Sequence, residues 1–163
     1  GMGAEQLEQM RASLETTMQI ASMIIPAAII MSSVFLAYIN YVLTVQVLRR
    51  IGYKIEPLKP LKEFRLPKSF LMGTLVIIIL TILMGYVQVV DYNTLVANVF
   101  LIFQLIYLIQ GLAVASHFME AFGIGKVLKI VIIVFVILNQ MGLLILAMIG
   151  FMDSFINFRK LEN

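Results

Sequence analysis

Four long apolar runs, separated by short polar stretches, set the pattern of this chain. A helix needs about 20 residues to cross the hydrocarbon core of a bilayer. At that length the runs predict four spans, at about Pro26–Val47, Phe70–Val90, Leu95–Ser116 and Ile130–Met152. The first charge-free run, Thr16–Leu48, is longer than one span requires. Because proline removes a backbone hydrogen bond from a helix, we expect a kink at Pro26, at the outer edge of the first span.

The residues before Pro26 follow a different pattern. Apolar and small side chains recur at alternating steps of three and four, which is the repeat of one helix face: Leu7, Met10, Leu14, Thr17, Ala21 and Ile24. The pattern predicts an outer amphipathic helix over residues 1–25, packed on its own bundle or on a partner copy. A helix lying on the membrane surface is less favoured, because the charges are mostly acidic. Gly1 is expected to be a cloning remnant, ahead of a cut inside a longer protein.

The polar stretch between the first two spans, residues 49–69, is strongly basic. It holds two acidic and seven basic residues, the latter being Arg49, Arg50, Lys54, Lys59, Lys62, Arg65 and Lys68. Positive charge in a short loop between spans marks the cytoplasmic side. Both chain ends, including the tail over residues 153–163, are then expected to face outward. The basic side chains are candidate contacts for anionic lipid or for a protein partner.

The amino-acid composition is typical of an integral membrane protein. Hydrophobic residues make up 61% and charged residues 13%, against about 45–50% and about 25% in soluble domains. There is no cysteine and only one histidine, which excludes disulfides, thiolate metal sites and multi-histidine metal sites. No nucleophile–base pair and no nucleic-acid-binding module is visible. We therefore expect no enzyme activity, no cofactor, no metal and no nucleic-acid partner.

The predicted spans contain no charged residue, which argues against a proton-coupled carrier. They do contain amides, and Gln104, Asn139 and Gln140 are expected at similar depth in the third and fourth spans. Amides in hydrocarbon need hydrogen-bond partners. Two interpretations stay open: these side chains join the two spans, or they form the polar floor of a small-molecule site. Asn40, Asn98 and Gln110 fit either interpretation.

Two stretches resemble the YybS-like predicted bacterial membrane proteins. Residues 48–70, LRRIGYKIEPLKPLKEFRLPKSF, show that family's paired arginine, its glycine and its aromatic–Arg–Leu–Pro step. Residues 149–160, IGFMDSFINFRK, resemble its carboxyl-terminal ending. The family is of unknown function, and its members carry a further amino-terminal membrane portion. Its likeness to the substrate-binding S components of energy-coupling-factor vitamin transporters is an analogy of fold, and it implies a small-molecule role.

The sequence thus predicts an all-α, multi-pass protein of the bacterial cytoplasmic membrane. Its four spans, over residues 26–152, would follow the amphipathic helix and precede the tail. The leading hypothesis for its function is binding or transport of a small, vitamin-like molecule. The alternative is a scaffold that transports nothing and whose basic loop docks a cytoplasmic or membrane partner. The bilayer and a second copy of the chain are also expected partners.

Overall fold

The computed structural model describes residues 3–56, 60–87 and 91–159, and every regular element within them is helical. The elements are α1 (Ala4–Arg50), a 3₁₀ turn (Leu61–Glu63), α2 (Lys68–Val87), α3 (Tyr92–Ala121), α4 (Lys126–Leu138) and α5 (Gln140–Ile156). The predicted all-α class is confirmed. Within the described ranges three helices, α1, α2 and α3, are long and apolar enough to cross a membrane, and the bent pair α4–α5 is a fourth if it is counted as one span.

Helix α3 lies at the centre of the bundle. Every other helix, and the 3₁₀ turn, contacts it. Its buried residues include Tyr107, Gln110 and Gly111 on its second half. The large apolar side chains of α1 and α2 are mostly exposed, as expected of surfaces that face lipid, where apolar burial against protein gives no gain. We call the end of the bundle with the basic loop the loop end, and the end with the Asp91 turn the turn end.

Helix α1 joins the predicted amphipathic helix and the first span into one element of 47 residues, with Pro26 inside it. At 1.5 Å per residue it is about 70 Å long, more than twice the hydrocarbon thickness. The side chains of residues 5–22 are all exposed. The interpretation that this segment packs on its own bundle is therefore wrong for the described chain, and packing on a second copy stays a prediction.

Asn98 of α3 occupies the place in α1 that proline disturbs. Its amide oxygen accepts a hydrogen bond from the Ala27 backbone nitrogen at 2.6 Å, and its amide nitrogen donates to the Met23 carbonyl at 2.7 Å. In an unbroken helix Ala27 would donate to Met23 directly. The Asn98 amide thus stands between the two groups and satisfies both, which fixes α1 to α3 near the turn end.

The predicted fourth span is divided. Helices α4 and α5 meet at Asn139 with a bend of 107°. Asn139 is the N-cap of α5, and its side-chain oxygen accepts hydrogen bonds from Met141 and Gly142. Asparagine is among the best N-cap residues because its side chain satisfies the free amides of the first turn. A residue that hydropathy places inside one span therefore ends one helix and begins another.

Helix α5 runs in the same direction as α3. Leu144 and Met148 line the same cavity as Phe100, whereas the later Asp153 contacts the later Gln110. After α5, Arg159 donates a hydrogen bond to the Lys62 carbonyl of the basic loop at 2.8 Å.

Both ends of the α4–α5 pair therefore lie at the loop end, since α4 follows within a few residues of Glu120, which pairs with Lys62. The predicted fourth span, at about Ile130–Met152, is bent at Asn139, and the expectation that the tail lies at the opposite end from the basic loop is corrected. Arg159 then lies with the other basic residues, in better agreement with the positive-inside pattern.

Candidate functional site

A cavity of about 350 Å³ lies between α2, α3 and α5. Its walls are mostly apolar and aromatic, with Ile78 from α2, Phe100 from α3 and Met148 from α5 among them. Small-molecule sites are typically about 300–1,000 Å³, apolar, with a few placed polar groups. The volume and the lining of this cavity are those of a site for a compact ligand.

Tyr107 lines the cavity at its end toward the loop end. Its hydroxyl donates a hydrogen bond to Thr74 at 2.9 Å, and Thr74 in turn donates to the Phe70 carbonyl. The Tyr107 ring is in edge contact with Phe151, with ring centroids 5.0 Å apart. Thr74 and Tyr107 are both buried. We call this pair the floor of the cavity, and its polar atoms already have partners.

Gln104 is one of two polar groups of the cavity wall, with the hydroxyl of the exposed Tyr92, that have no partner among the described residues. Gln104 is half-buried on α3, one turn from Tyr107, and its amide takes part in no hydrogen bond with any described residue. Thr81, also in the wall, donates to the Ile77 carbonyl of its own helix. Since an amide in apolar surroundings needs partners, Gln104 is the group best placed to bind a polar atom of a ligand.

The structure does not bring the three predicted amides together. Asn139 caps α5, Gln140 is exposed, and no described hydrogen bond joins either side chain to Gln104. The predicted cluster is corrected on this point. The prediction assumed an antiparallel fourth span, whereas α5 runs parallel to α3 and begins at the break.

A buried polar network instead surrounds Gln110. Its amide nitrogen donates to Asp153 at 3.1 Å and to Ser154 at 3.0 Å, and its oxygen accepts from the Leu66 backbone nitrogen at 3.0 Å. Asp153 also pairs with Arg159 at 2.8 Å, and both of these side chains are 0% exposed. Sequence analysis named Gln110 only as an additional amide, and it placed Asp153 and Arg159 in an exposed tail.

The network is possible because α3 and α5 approach very closely. A Cβ atom added to Gly111 would overlap the Leu146 carbonyl, and one added to Gly150 would overlap the Tyr107 carbonyl. Small residues at a crossing allow such backbone contact in membrane helices. The Gly–Asp spacing in the Ile149–Lys160 stretch was the available indication, since Gly150 and Asp153 are three apart and so lie on one face of a helix.

The basic loop residues divide between structural and exposed roles. Arg49 donates to the Ile55 carbonyl at 3.1 Å, Lys62 pairs with Glu120 at 2.7 Å, and Arg65 is half-buried. Arg50, Lys54 and Lys68 are exposed and form no hydrogen bond or ion pair with the described chain. Lys59 and Lys160 lie outside the described residues.

The Lys62–Glu120 pair lies beyond the predicted third span, which ends at Ser116. The hydrogen bond and charge of Lys62 lower the pKa of Glu120, and Glu120 raises the pKa of Lys62 by the same two effects. Both groups are solvent-exposed, so the pair orients the loop on α3 more than it stabilises the fold. In the described ranges no three acidic or histidine side chains come together as a metal site.

The fold and the lipid-facing surfaces define a multi-pass α-helical membrane protein. The chain belongs to the family of predicted membrane proteins designated DUF2232, which matches residues 1–154. It is similar to the uncharacterized protein YybS of Bacillus subtilis (strain 168), with 24% identity over 157 residues, covering 96% of this chain. The chain spans about half (50%) of that relative's length. No solved structure matches the chain.

Proposed function

We propose that this membrane protein binds a small, mainly apolar molecule in the cavity between α2, α3 and α5, as a binding or transport component. The observation that carries the proposal is the unpartnered Gln104 amide in the wall of a cavity of about 350 Å³. An apolar pocket supplies affinity by burial, and one free amide supplies orientation. The expected ligand is a compact, flat or heteroaromatic molecule with at least one hydrogen-bonding group.

The lining supports an aromatic ligand in particular. Phe100, Phe103 and Phe151 line the cavity, and aromatic side chains stack on or meet the edges of ring ligands. The analogy with vitamin-binding S components points to the same chemical class and stays a prediction. Among the described residues the cavity wall holds no charged side chain, so a neutral ligand is favoured over an ion.

Thermal unfolding of the full-length protein in detergent, with a panel of small heteroaromatic metabolites, tests this function. A ligand at 100 times its Kd stabilises the folded state by about 2.7 kcal/mol. Gln104→Leu keeps the approximate shape of the side chain and removes the amide, so it should abolish the shift without unfolding the protein. Gln46→Leu, at an exposed position of α1, is the matched control and should retain the shift.

If no compound stabilises the protein, or if Gln104→Leu responds as Gln46→Leu does, the cavity is not the binding site. Either result overturns the proposal.

The second proposal is a docking role for the basic loop, and it rests on Arg50, Lys54 and Lys68, which are exposed and have no described partner. Their free charge suits an acidic surface of a cytoplasmic or membrane protein. Replacing all three with glutamine should abolish co-purification of such a partner while Arg49→Lys, which keeps the charge that contacts Ile55, does not. Equal co-purification with both variants would contradict this role.

A further inference from the structure

The buried pair Asp153–Arg159 is not accounted for by small-molecule binding alone. Both side chains are 0% exposed, and they are joined by one contact, Arg159 Nη2 to Asp153 Oδ2 at 2.8 Å. Each also keeps one buried atom without a partner, Asp153 Oδ1 and Arg159 Nε. A charge in a membrane bundle is costly and usually functional, and replacing a buried ion pair by apolar residues often stabilises a protein. Stability by itself therefore does not explain the pair.

The pair joins three parts of the chain. Asp153 accepts from Gln110 of α3, and Arg159 donates to the Lys62 carbonyl of the basic loop. Gln110 also accepts from the Leu66 backbone nitrogen. The loop, α3 and the end of α5 are thus held together through these few polar contacts. Losing the Asp153–Arg159 contact would release the tail from α5.

The position of this network is on the line from the cavity to the loop end. Tyr107 forms the floor of the cavity, and Gln110 follows three residues later on the same side of α3. Of the loop residues, Leu66 contacts Gln110 and Lys62 contacts Arg159, so the loop adjoins this network at two points. A molecule leaving the cavity toward the loop end would have to pass this level.

We propose that Asp153, Arg159 and Gln110 form the gate that separates the cavity from the loop end of the bundle, an inference that rests on the proposed small-molecule function. The gate is closed in the present arrangement. It opens when Arg159 leaves Asp153, and Leu66 of the loop then moves off Gln110. The two unpartnered atoms provide a second pairing, Nε with Oδ1, through which Arg159 re-forms the contact.

The absence of cysteine from the sequence makes a labelling experiment direct. Gln104→Cys places one thiol in the cavity of the full chain, in oriented vesicles, and a membrane-impermeant maleimide is added on the side of the basic loop. Labelling should be slow. Adding Arg159→Gln or Asp153→Asn should raise the labelling rate about tenfold, as expected when a rare open state becomes common.

Three controls separate a gate from a structural contact. Glu120→Gln breaks the exposed Lys62–Glu120 pair and should leave the labelling slow. Arg159→Lys keeps the charge and should restore most of the closed behaviour. Lys54→Cys, at an exposed position of the basic loop, should label at one rate in all backgrounds, and a changed rate there would show that the variants alter more than the gate.

Unchanged labelling of Gln104→Cys in folded Arg159→Gln and Asp153→Asn variants overturns the gate. If these variants do not fold, the hydrogen-exchange rate of the Leu66 amide in the unmodified protein tests whether the gate opens. A gate predicts exchange by local opening, faster than global unfolding, and exchange only through global unfolding overturns it. Thermal stabilisation of the protein with Gln104 intact by a bound compound tests the proposed function separately, so the two can fail independently.

Discussion

The α3–α5 interface and helix α1 show two ways of building an apolar helix into this protein. Where α3 crosses α5, Gly111 and Gly150 bring the backbones together and Gln110 bonds to Asp153. Helix α1 is longer, and its most apolar stretch is as apolar as that of α3, yet its described contacts are made with α3 alone, and nearly all of its large side chains are exposed. The same hydropathy therefore accompanies a packed helix and a largely unpacked one.

The difference shows what holds helices together in this protein. Lipid removes the hydrophobic driving force between helices, so close packing of small residues and hydrogen bonds must supply the attraction. The α3–α5 interface has both features. Among the described residues, helix α1 has one buried small residue, Ala27, and it is there that the Asn98 amide of α3 bonds to α1. Four variants or conditions test whether these few groups account for the difference in packing between the α3–α5 interface and helix α1.

The largest effect is expected from Arg159→Met in the interface. Removing one member of a buried ion pair leaves an uncompensated charge and typically costs about 3–5 kcal/mol. Denaturant unfolding in detergent measures the loss, and Arg50→Met, at an exposed position of α1, should change stability by less than about 0.5 kcal/mol. Adding Asp153→Asn to Arg159→Met should recover part of the loss. If Arg159→Met and Arg50→Met change stability equally, Arg159 does not form a buried ion pair with Asp153.

The next effect is expected from Gly111→Ala. Its methyl group would overlap the Leu146 carbonyl, so α3 and α5 must separate, at a cost of about 1–3 kcal/mol or more. Gly73→Ala is the matched control, since its methyl group meets nothing within 4 Å. That variant should be neutral or stabilising by up to about 1 kcal/mol, the helix-propensity gain of alanine over glycine. Thermal unfolding of both variants gives the comparison, and the same sign for both would disprove the close crossing.

Asn98→Leu should have a smaller effect, at the joint between α1 and α3. It removes the bonds to Ala27 and Met23, and interhelical hydrogen bonds in membranes are worth roughly 0.6–2 kcal/mol. Asn40→Leu, on an exposed part of α1, removes the same group where it bonds to no other helix. Protease sensitivity of α1 should rise in Asn98→Leu only. If both variants leave it unchanged, the joint does not hold α1.

The smallest effect is that of pH on the Lys62–Glu120 pair. Because Lys62 lowers the pKa of Glu120, the contribution of the pair is complete above the ordinary glutamate pKa and is lost as the pH falls through the lowered value. Because the pKa of Lys62 is raised, the contribution is lost again as the pH rises through that value. The difference in unfolding midpoint between the wild type and Glu120→Gln, followed against pH, should vanish in acid. If the difference stays constant in acid, the Lys62–Glu120 pair does not contribute to the stability of the protein.

Sequence reasoning located the helices better than the site. The basic stretch after α1 was correctly placed between helices, because loops and spans differ in local composition. Gln104 was named and lies in the cavity. Asp153 and Arg159 were assigned to an outer tail, because hydropathy counts a charge beyond the last apolar residue as exposed. Only the return of α5 toward the basic loop buries them.

The amino-acid sequence by itself determined that this protein resides in the membrane, which segments are helical and where its positive charge is concentrated. Those properties are sums over neighbouring residues, so they can be read locally. The tertiary structure decided that α5 turns back at Asn139, that Gln110 meets Asp153, and that a cavity opens beside Gln104. Those contacts join residues about 40 positions apart, and their free energy depends on how closely two helices can approach, which no single segment specifies.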